Sequence, residues 1–480
     1  MAIAADSIKF GTDGWRGIIA ADFTFERLAI VAPIAAQVLA DAYGETTGSQ
    51  TIIVGHDRRF MAEDFAKKTA EVVQAAGFDV LLSNSYAPTP AFSWAAKSQN
   101  ALGALVITAS HNPGNYLGLK VKGAFGGSVP LEITKQIEAK LSQAPATPKK
   151  EGSIKTFDPW SSYCDALRQK VDIALIQQLI SQGKLTVFAH VMNGAAAGGL
   201  NKILGVPIIE IKAERDPLFG GKSPEPLPGY LSELFEALQS HHREPGGELA
   251  VGLAFDGDSD RIAAADAQGN FLSPQILIPI LIEHLASRRN FSGEVVKTLS
   301  GSDLIPRVAA LYNLPVYETA IGYKYIADRM LSTPALLGGE ESGGIGYGNH
   351  IPERDALLSA LYILEAIAKS GKDLSELYKS LQEQTGYASA YDRIDLHLSG
   401  MEVRSRIQEQ LQTQPLQEIN GQAVVDCQTT DGYKFRLAND SWLLIRFSGT
   451  EPLLRLYCEA ATLEQVTQTL NWAKDWASKF

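Results

Sequence analysis

Three aspartates at alternate positions, Asp256, Asp258 and Asp260 in the loop DGDSDR, concentrate more potential chemistry than any other short segment of this chain. Carboxylates crowded together repel unless a cation sits among them, and hard oxygen ligands favour Mg2+ or Ca2+. Gly257 lets the backbone curl so that the three groups converge. The loop is too short for an EF-hand, and three Asp ligands leave an octahedral Mg2+ with positions open to a phosphate oxygen or water, which points to phosphoryl chemistry. Arg261 follows directly, a cation placed for substrate. The same segment, taken alone, also reads as an acidic solvated turn.

Four further loops carry groups of the same character. TASHNP presents the Ser110 hydroxyl beside His111 and Asn112, where turning backbone amides stabilise an anion. FGTDGWRG sets Arg16 between Gly14 and Gly17, whose lack of side chains allows close approach to a ligand. GEESGG offers Glu340, Glu341 and Ser342, carboxylates and a hydroxyl suited to sugar hydroxyls. RFSGTEP supplies Arg446, Ser448, Gly449 and Thr450, a guanidinium fork, two hydroxyls and an open amide that match a phosphate monoester. Read singly, each of the four is equally an ordinary turn.

The elements that must hold these loops read as repeated α/β units. Thr51 to Gly55 is a short apolar strand. A helix follows in which Phe65, Thr69, Val72, Val73 and Ala76 recur at helical spacing, and then a strand at Phe78 to Leu82. The strand Leu102 to Ile107 ends in TASHNP, and ligands of open α/β sheets gather at the carboxyl ends of strands. After a linker at Gln143 to Asp158, the pattern returns with strands at Leu185 to Val191, which runs into the small-residue turn NGAAAGG, and at Leu249 to Phe255, which ends in DGDSDR. A third round has a helix at Pro274 to Ala286, a strand at Val295 to Leu299 and a helix at Asp303 to Tyr312 before GGEESGGIGYG. Beyond Tyr387, alternating segments such as RIDLHL and SWLLIRF with helices at Met401 to Leu411 and Leu463 to Ala477 suit a smaller α+β unit with an antiparallel sheet.

A chain of 480 residues exceeds one hydrophobic core and divides into several domains. Its 45% hydrophobic and 20% charged residues and a mean hydropathy of -0.04 are those of a soluble globular protein. A net charge of -11 and a pI near 5.3 argue against nucleic-acid and anionic-membrane binders, so an anionic ligand must be held by a few placed cations. Neither a signal peptide nor a spanning helix is expected, and the three widely spaced cysteines read as cytosolic thiols.

Taken in order, FGTDGWRG, TASHNP, DGDSDR, GEESGG and RFSGTEP resemble the signature loops of the α-D-phosphohexomutase superfamily, which includes phosphoglucomutases and phosphomannomutases. The resemblance implies three similar α/β domains with mixed sheets around a central cleft and a smaller C-terminal α+β domain, here expected at 1–148, 149–270, 271–383 and 384–480. It implies that Ser110 carries phosphate and that Asp256, Asp258 and Asp260 hold Mg2+ together with that serine phosphate. Arg16, His111 and Lys120 would surround the reacting phosphoryl group, with Lys120 the better general base. Glu340, Ser342 and Lys324 would contact the sugar, with Arg446, Ser448, Gly449 and Thr450 on the phosphate that is not reacting. The implied reaction interconverts hexose 1- and 6-phosphates, glucose preferred, through a hexose 1,6-bisphosphate. A glucose-1,6-bisphosphate synthase and a non-catalytic phosphosugar-binding protein share the same loops. Asp13 stands where many members have Ser.

Overall fold

The computed structural model describes residues 8–11, 13–142, 150–242, 249–448 and 452–480. Four sheets organise them. The first runs Phe10–Gly11, Gly14–Ile18, Tyr116–Gly123, Gly103–Ile107, Thr51–His56, Asp79–Ser83 and Ile154–Phe157. Its first three neighbouring pairs are antiparallel and its last three parallel. The second sheet has five strands and the third four, both mixed; the fourth has six, all antiparallel. No helix among the described residues is long and apolar enough to cross a membrane.

Side-chain alternation along the strands sorts each sheet into two buried faces. In the first sheet Ile52, Val54, Leu105 and Ile107 join one core with the helix Phe25–Thr47, whose Leu28, Val31, Ala35 and Val38 recur at three- and four-residue intervals. Ile53, Ala104 and Val106 face the other way, into a core shared with Phe92 of the helix Thr89–Ser98. That second core continues through Val251, Leu253 and Phe255 of the second sheet and Val295 and Leu337 of the third. The first three units are therefore packed through one continuous apolar interior. In the last unit Leu443, Ile445, Leu454 and Leu456 cover the helix Leu463–Ala477, while Trp442, Leu444 and Tyr457 turn toward Leu299 of the third unit.

Two edge strands lie across the expected unit boundaries. Ile154–Phe157, read as linker and placed beyond the boundary at 148, is the edge strand of the first sheet, paired parallel to Asp79–Ser83. Its side chains are mostly exposed, so no apolar run marks it. Phe271–Leu272, placed in the third unit, is the edge of the second sheet.

Candidate active site

The first three signature loops of the interior lie where the sheets predict. The Ser110 loop follows Gly103–Ile107, the aspartate loop follows Ala250–Phe255, and the Glu340 loop follows Ala335–Gly339, each at a carboxyl strand end. Ser110 has a positive φ of 53°, a left-handed backbone that non-glycine residues seldom adopt. Arg59 holds the turn in place, its guanidinium donating to the carbonyls of Ser110 (2.5 Å), Asn112 (2.6 Å), Pro113 (2.9 Å) and Tyr116 (3.1 Å). Asp57 stands 3.4 Å from Arg59 Nε and accepts from Thr108 Oγ1 at 2.6 Å. Burial lifts the Asp57 carboxyl to about 6, against the lowering effect of Arg59 and Thr108.

Serine and aspartates meet. Ser110 Oγ donates to Asp256 Oδ2 at 3.0 Å, and both residues are buried. The amides of Asp260 and Arg261 donate to Asp256 Oδ1 at 3.0 and 3.1 Å. Lys120 Nζ lies 2.8 Å from a carboxylate oxygen of each of Asp13, Asp258 and Asp260. Arg354 Nη2 reaches Asp260 Oδ2 at 2.8 Å and Asp13 Oδ2 at 2.6 Å. Thr89 Oγ1 donates to Asp258 Oδ2 at 2.5 Å. Burial, with Asp260 and Asp258 beside it, pushes the Asp256 carboxyl well above its usual range. Burial acts the same way on Asp258, but Lys120, Thr89 and Arg354 outweigh it and hold that carboxyl well below.

Asp256, Asp258 and Asp260 offer oxygens within 4.8 Å of one another. Asp258 Oδ1 and Asp260 Oδ1 are buried without a hydrogen-bond partner. Buried carboxylate oxygens left unmatched are costly, and an all-oxygen set suits a hard divalent cation, so these residues fit Mg2+.

Above this floor opens a cleft of about 570 Å³ that draws on all four units. Arg16, His111, Arg261, Lys324, Glu340, Ser342 and Arg446 line it, together with Arg354, Arg393 and Arg455. Arg16 donates to Asn112 Oδ1 at 2.6 Å, Arg261 lies 3.5 Å from Glu225, and Arg446 Nε is 3.1 Å from Asp431. The Lys324 ammonium sits 4.8 Å from the centre of the Tyr325 ring. His111 Nδ1 is 3.4 Å from Ser110 Oγ; burial, then Arg261 and Arg16, hold its imidazole neutral, well below the ordinary histidine value. Glu340 is raised by burial, partly offset by Arg354 and Arg261. Ser448 ends the described part of its loop, its amide donating to the Leu453 carbonyl at 2.9 Å. Gly449 and Thr450 lie outside the described residues.

Lys120, expected as the general base, is buried among three carboxylates that raise its pKa against the opposing effect of burial. Sequence reading also passed over Arg59, Arg354, Arg393 and Arg455. For Arg59 a signal existed: DRR follows directly on the buried strand Thr51–His56, a charged run in a place where the chain is still interior.

Family models for phosphoglucomutase/phosphomannomutase match the chain in four blocks. These are the α/β/α domains I, II and III at residues 7–147, 161–269 and 273–385, and the C-terminal domain at 402–471. The chain is 30% identical over 474 residues to a phosphoglucomutase/phosphomannomutase of Thermococcus kodakarensis, covering 96% of each. It is also 30% identical over 481 residues to a phosphoglucosamine/phosphogalactosamine mutase of Sulfurisphaera tokodaii, covering 97% of this chain and 98% of the other. Among solved structures, a Thermus thermophilus protein provisionally named phosphomannomutase superposes with a TM-score of 0.85 at 32% identity, over 98% of this chain and 99% of that one. With four domain models matched in order and relatives aligned from end to end, the chain belongs to the phosphoglucomutase/phosphomannomutase family of the α-D-phosphohexomutases, which are intramolecular phosphotransferases.

Proposed function

We infer that the protein interconverts hexose 1- and 6-phosphates, glucose preferred and mannose accepted, by exchanging a phosphoryl group with Ser110. The observation that carries this reading is the buried Ser110 hydroxyl 3.0 Å from Asp256, at the foot of a cleft whose walls bear arginines. In the resting enzyme Ser110 bears phosphate. A hydroxyl oxygen of hexose 1-phosphate bonds to phosphorus as the bond from phosphorus to Ser110 Oγ breaks, and hexose 1,6-bisphosphate forms. The hydroxyl's proton ends on Ser110 Oγ. Neutral His111 is positioned to pass it, and Lys120 serves as a base only once its carboxylates are engaged elsewhere.

The bisphosphate then turns end for end and returns its other phosphate to Ser110. Arg446 and Ser448, with Gly449 and Thr450, hold the phosphate that is not reacting, and Arg393 and Arg455 on the same wall add charge to that end. Glu340 and Ser342 take sugar hydroxyls beside Lys324. Mg2+ held by Asp256, Asp258 and Asp260, with an oxygen of the Ser110 phosphate, would neutralise charge on the transferring group.

Glucosamine phosphate as the sugar is the second reading, favoured by the name of the Sulfurisphaera relative. Intact mass before and after glucose 1-phosphate, with the modified peptide located, tests the carrier. We expect one phosphoryl group on Ser110, and Ser110→Ala to lose it and to lower turnover by about a thousandfold or more. Turnover unchanged in Ser110→Ala would sink the covalent route. Comparing kcat/KM for glucose, mannose and glucosamine 1-phosphates separates the sugar readings. Release of bisphosphate from glucose 6-phosphate only when fructose 1,6-bisphosphate is added would identify a synthase instead.

A further inference from the structure

Five acidic side chains, Asp13, Asp256, Asp258, Asp260 and Glu353, and three basic ones, Lys120, Lys122 and Arg354, form one cluster at the floor of the cleft, where Asp13 is half-buried and the others are buried. Asp13 is its hub. Its Oδ2 lies between Lys120 Nζ at 2.8 Å and Arg354 Nη2 at 2.6 Å, the two cations that also hold Asp258 and Asp260. Its Oδ1 accepts from Lys122 Nζ at 3.0 Å and Ser128 Oγ at 2.8 Å. Lys122 in turn lies 2.7 Å from Glu353. Among the described residues Lys122 pairs with Asp13, Glu353 and Ser128 and not with the three aspartates.

Arg16 and Arg261 also face these aspartates, and Glu340 faces Arg354, so the charge that Asp13 brings sits in a crowded field of both signs. Without Asp13 the cluster would lose one negative charge. Lys120 and Arg354 would then turn wholly onto Asp258 and Asp260, in competition with a metal for the same carboxylates. We propose that Asp13 is a positioning residue for metal binding: it draws Lys120 and Arg354 partly away from the aspartates and adds one negative charge beside them. Resting on the Mg2+ reading above, the assignment adds a residue that would act on the metal site through Lys120 and Arg354.

Calorimetric titration of Mg2+ into the full-length protein tests this, with circular dichroism to establish folding. Asp13→Asn is expected to weaken Mg2+ binding by about tenfold or more, as removal of a unit charge a few ångströms from a divalent ion implies. Asp13→Ser makes the same charge change with the side chain that many family members carry there. The double variant Asp13→Asn/Lys122→Gln restores the wild-type net charge without altering Lys120 or Arg354, and it should regain most of the lost affinity. Lys122→Gln by itself keeps Asp13, removes one positive charge and should bind Mg2+ more tightly, so the idea stays testable even if both Asp13 variants misfold. Unchanged affinity in Asp13→Asn or Asp13→Ser overturns the proposal. So does a double variant no better than the single, or a Lys122→Gln protein that binds no more tightly. Failure of the underlying metal reading would look different: wild-type Mg2+ binding insensitive to Asp256→Asn.

Discussion

Arg59 is the clearest example of a single side chain setting the geometry of this site. It is fully buried, its guanidinium serves four carbonyls of the Ser110 turn, and Asp57 is the carboxylate within ion-pair distance of it, with Asp258 and Asp256 farther off. The turn places Ser110 in a left-handed conformation, and such backbone costs on the order of 1–3 kcal/mol unless its surroundings over-determine it. Arg59→Met removes the support and leaves Asp57 unpaired in the interior, so a loss of about 3–5 kcal/mol in denaturant unfolding is expected. Arg59→Lys keeps a charge near Asp57 but cannot span four acceptors; it should recover part of the stability and little of kcat. A lysine variant with full kcat would show that the turn holds itself. Such residues are hard to read from a sequence because their meaning lies in distant partners. Asp13 and Arg354, which meet at 2.6 Å, are 341 positions apart. The aspartates and Ser110 were legible because reactive groups cluster in short loops beside glycine, whereas the cations that organise them are scattered singly.

At the scale of elements, strands that bury both faces declare themselves as apolar runs, which is why Thr51–His56, Gly103–Ile107 and Ala250–Phe255 were readable. Edge strands were not. Ile154–Phe157 is largely exposed, and Phe10–Gly11 and Gly14–Ile18 form a hairpin whose glycines mimic a loop. The small-residue turn NGAAAGG was visible as a turn, and its role emerges only from packing. Ala195 N donates to the Gly257 carbonyl at 2.9 Å, and a Cβ on Gly194 would lie 2.7 Å from that same oxygen. Gly257 itself presses against the Ser110 carbonyl, so the three loops stack without room for a methyl group. Gly257→Ala should therefore force the aspartate loop off the serine loop. The expected cost is about 1–3 kcal/mol of stability, with a drop in kcat larger than any change in KM, because hydroxyl and aspartates would part while the sugar-binding wall stays in place. Steady-state kinetics alongside urea unfolding check both. A variant that keeps wild-type kcat would mean that the loops have slack that the contacts do not show.

Across the whole molecule, the last unit is fixed to the third by buried polar groups as well as by the Trp442 face. Glu459 accepts from Ser302, Ser389, the Asp303 amide and Trp442 Nε1, and Arg436 pairs with Asp303 at 2.6 Å. Lys434 crosses the same seam, its ammonium donating to the Leu299 carbonyl at 2.8 Å and lying 4.2 Å from the centre of the Trp442 ring. Asp303, Glu318, Lys297 and Arg436 also face it. Burial, followed by repulsion from Lys297, draws Lys434 down from 10.5 to about 7, with Asp303 and Glu318 opposing. With the folded value below the unfolded one, the unfolded chain holds the extra proton between those limits, and the stability owed to this residue rises with pH from about 7 to about 10.5. Lys434→Met lacks the proton and packs its side chain against Trp442. Its unfolding free energy should climb less than that of wild type between pH 7 and 9, by roughly 1.4 kcal/mol for each pH unit crossed, the value of one unit of differential protonation. Urea unfolding of both proteins at the two pH values measures the difference. Parallel pH dependence in wild type and Lys434→Met would mean that the ammonium stays charged at the seam, its burial fully offset by Asp303, Glu318 and the indole face.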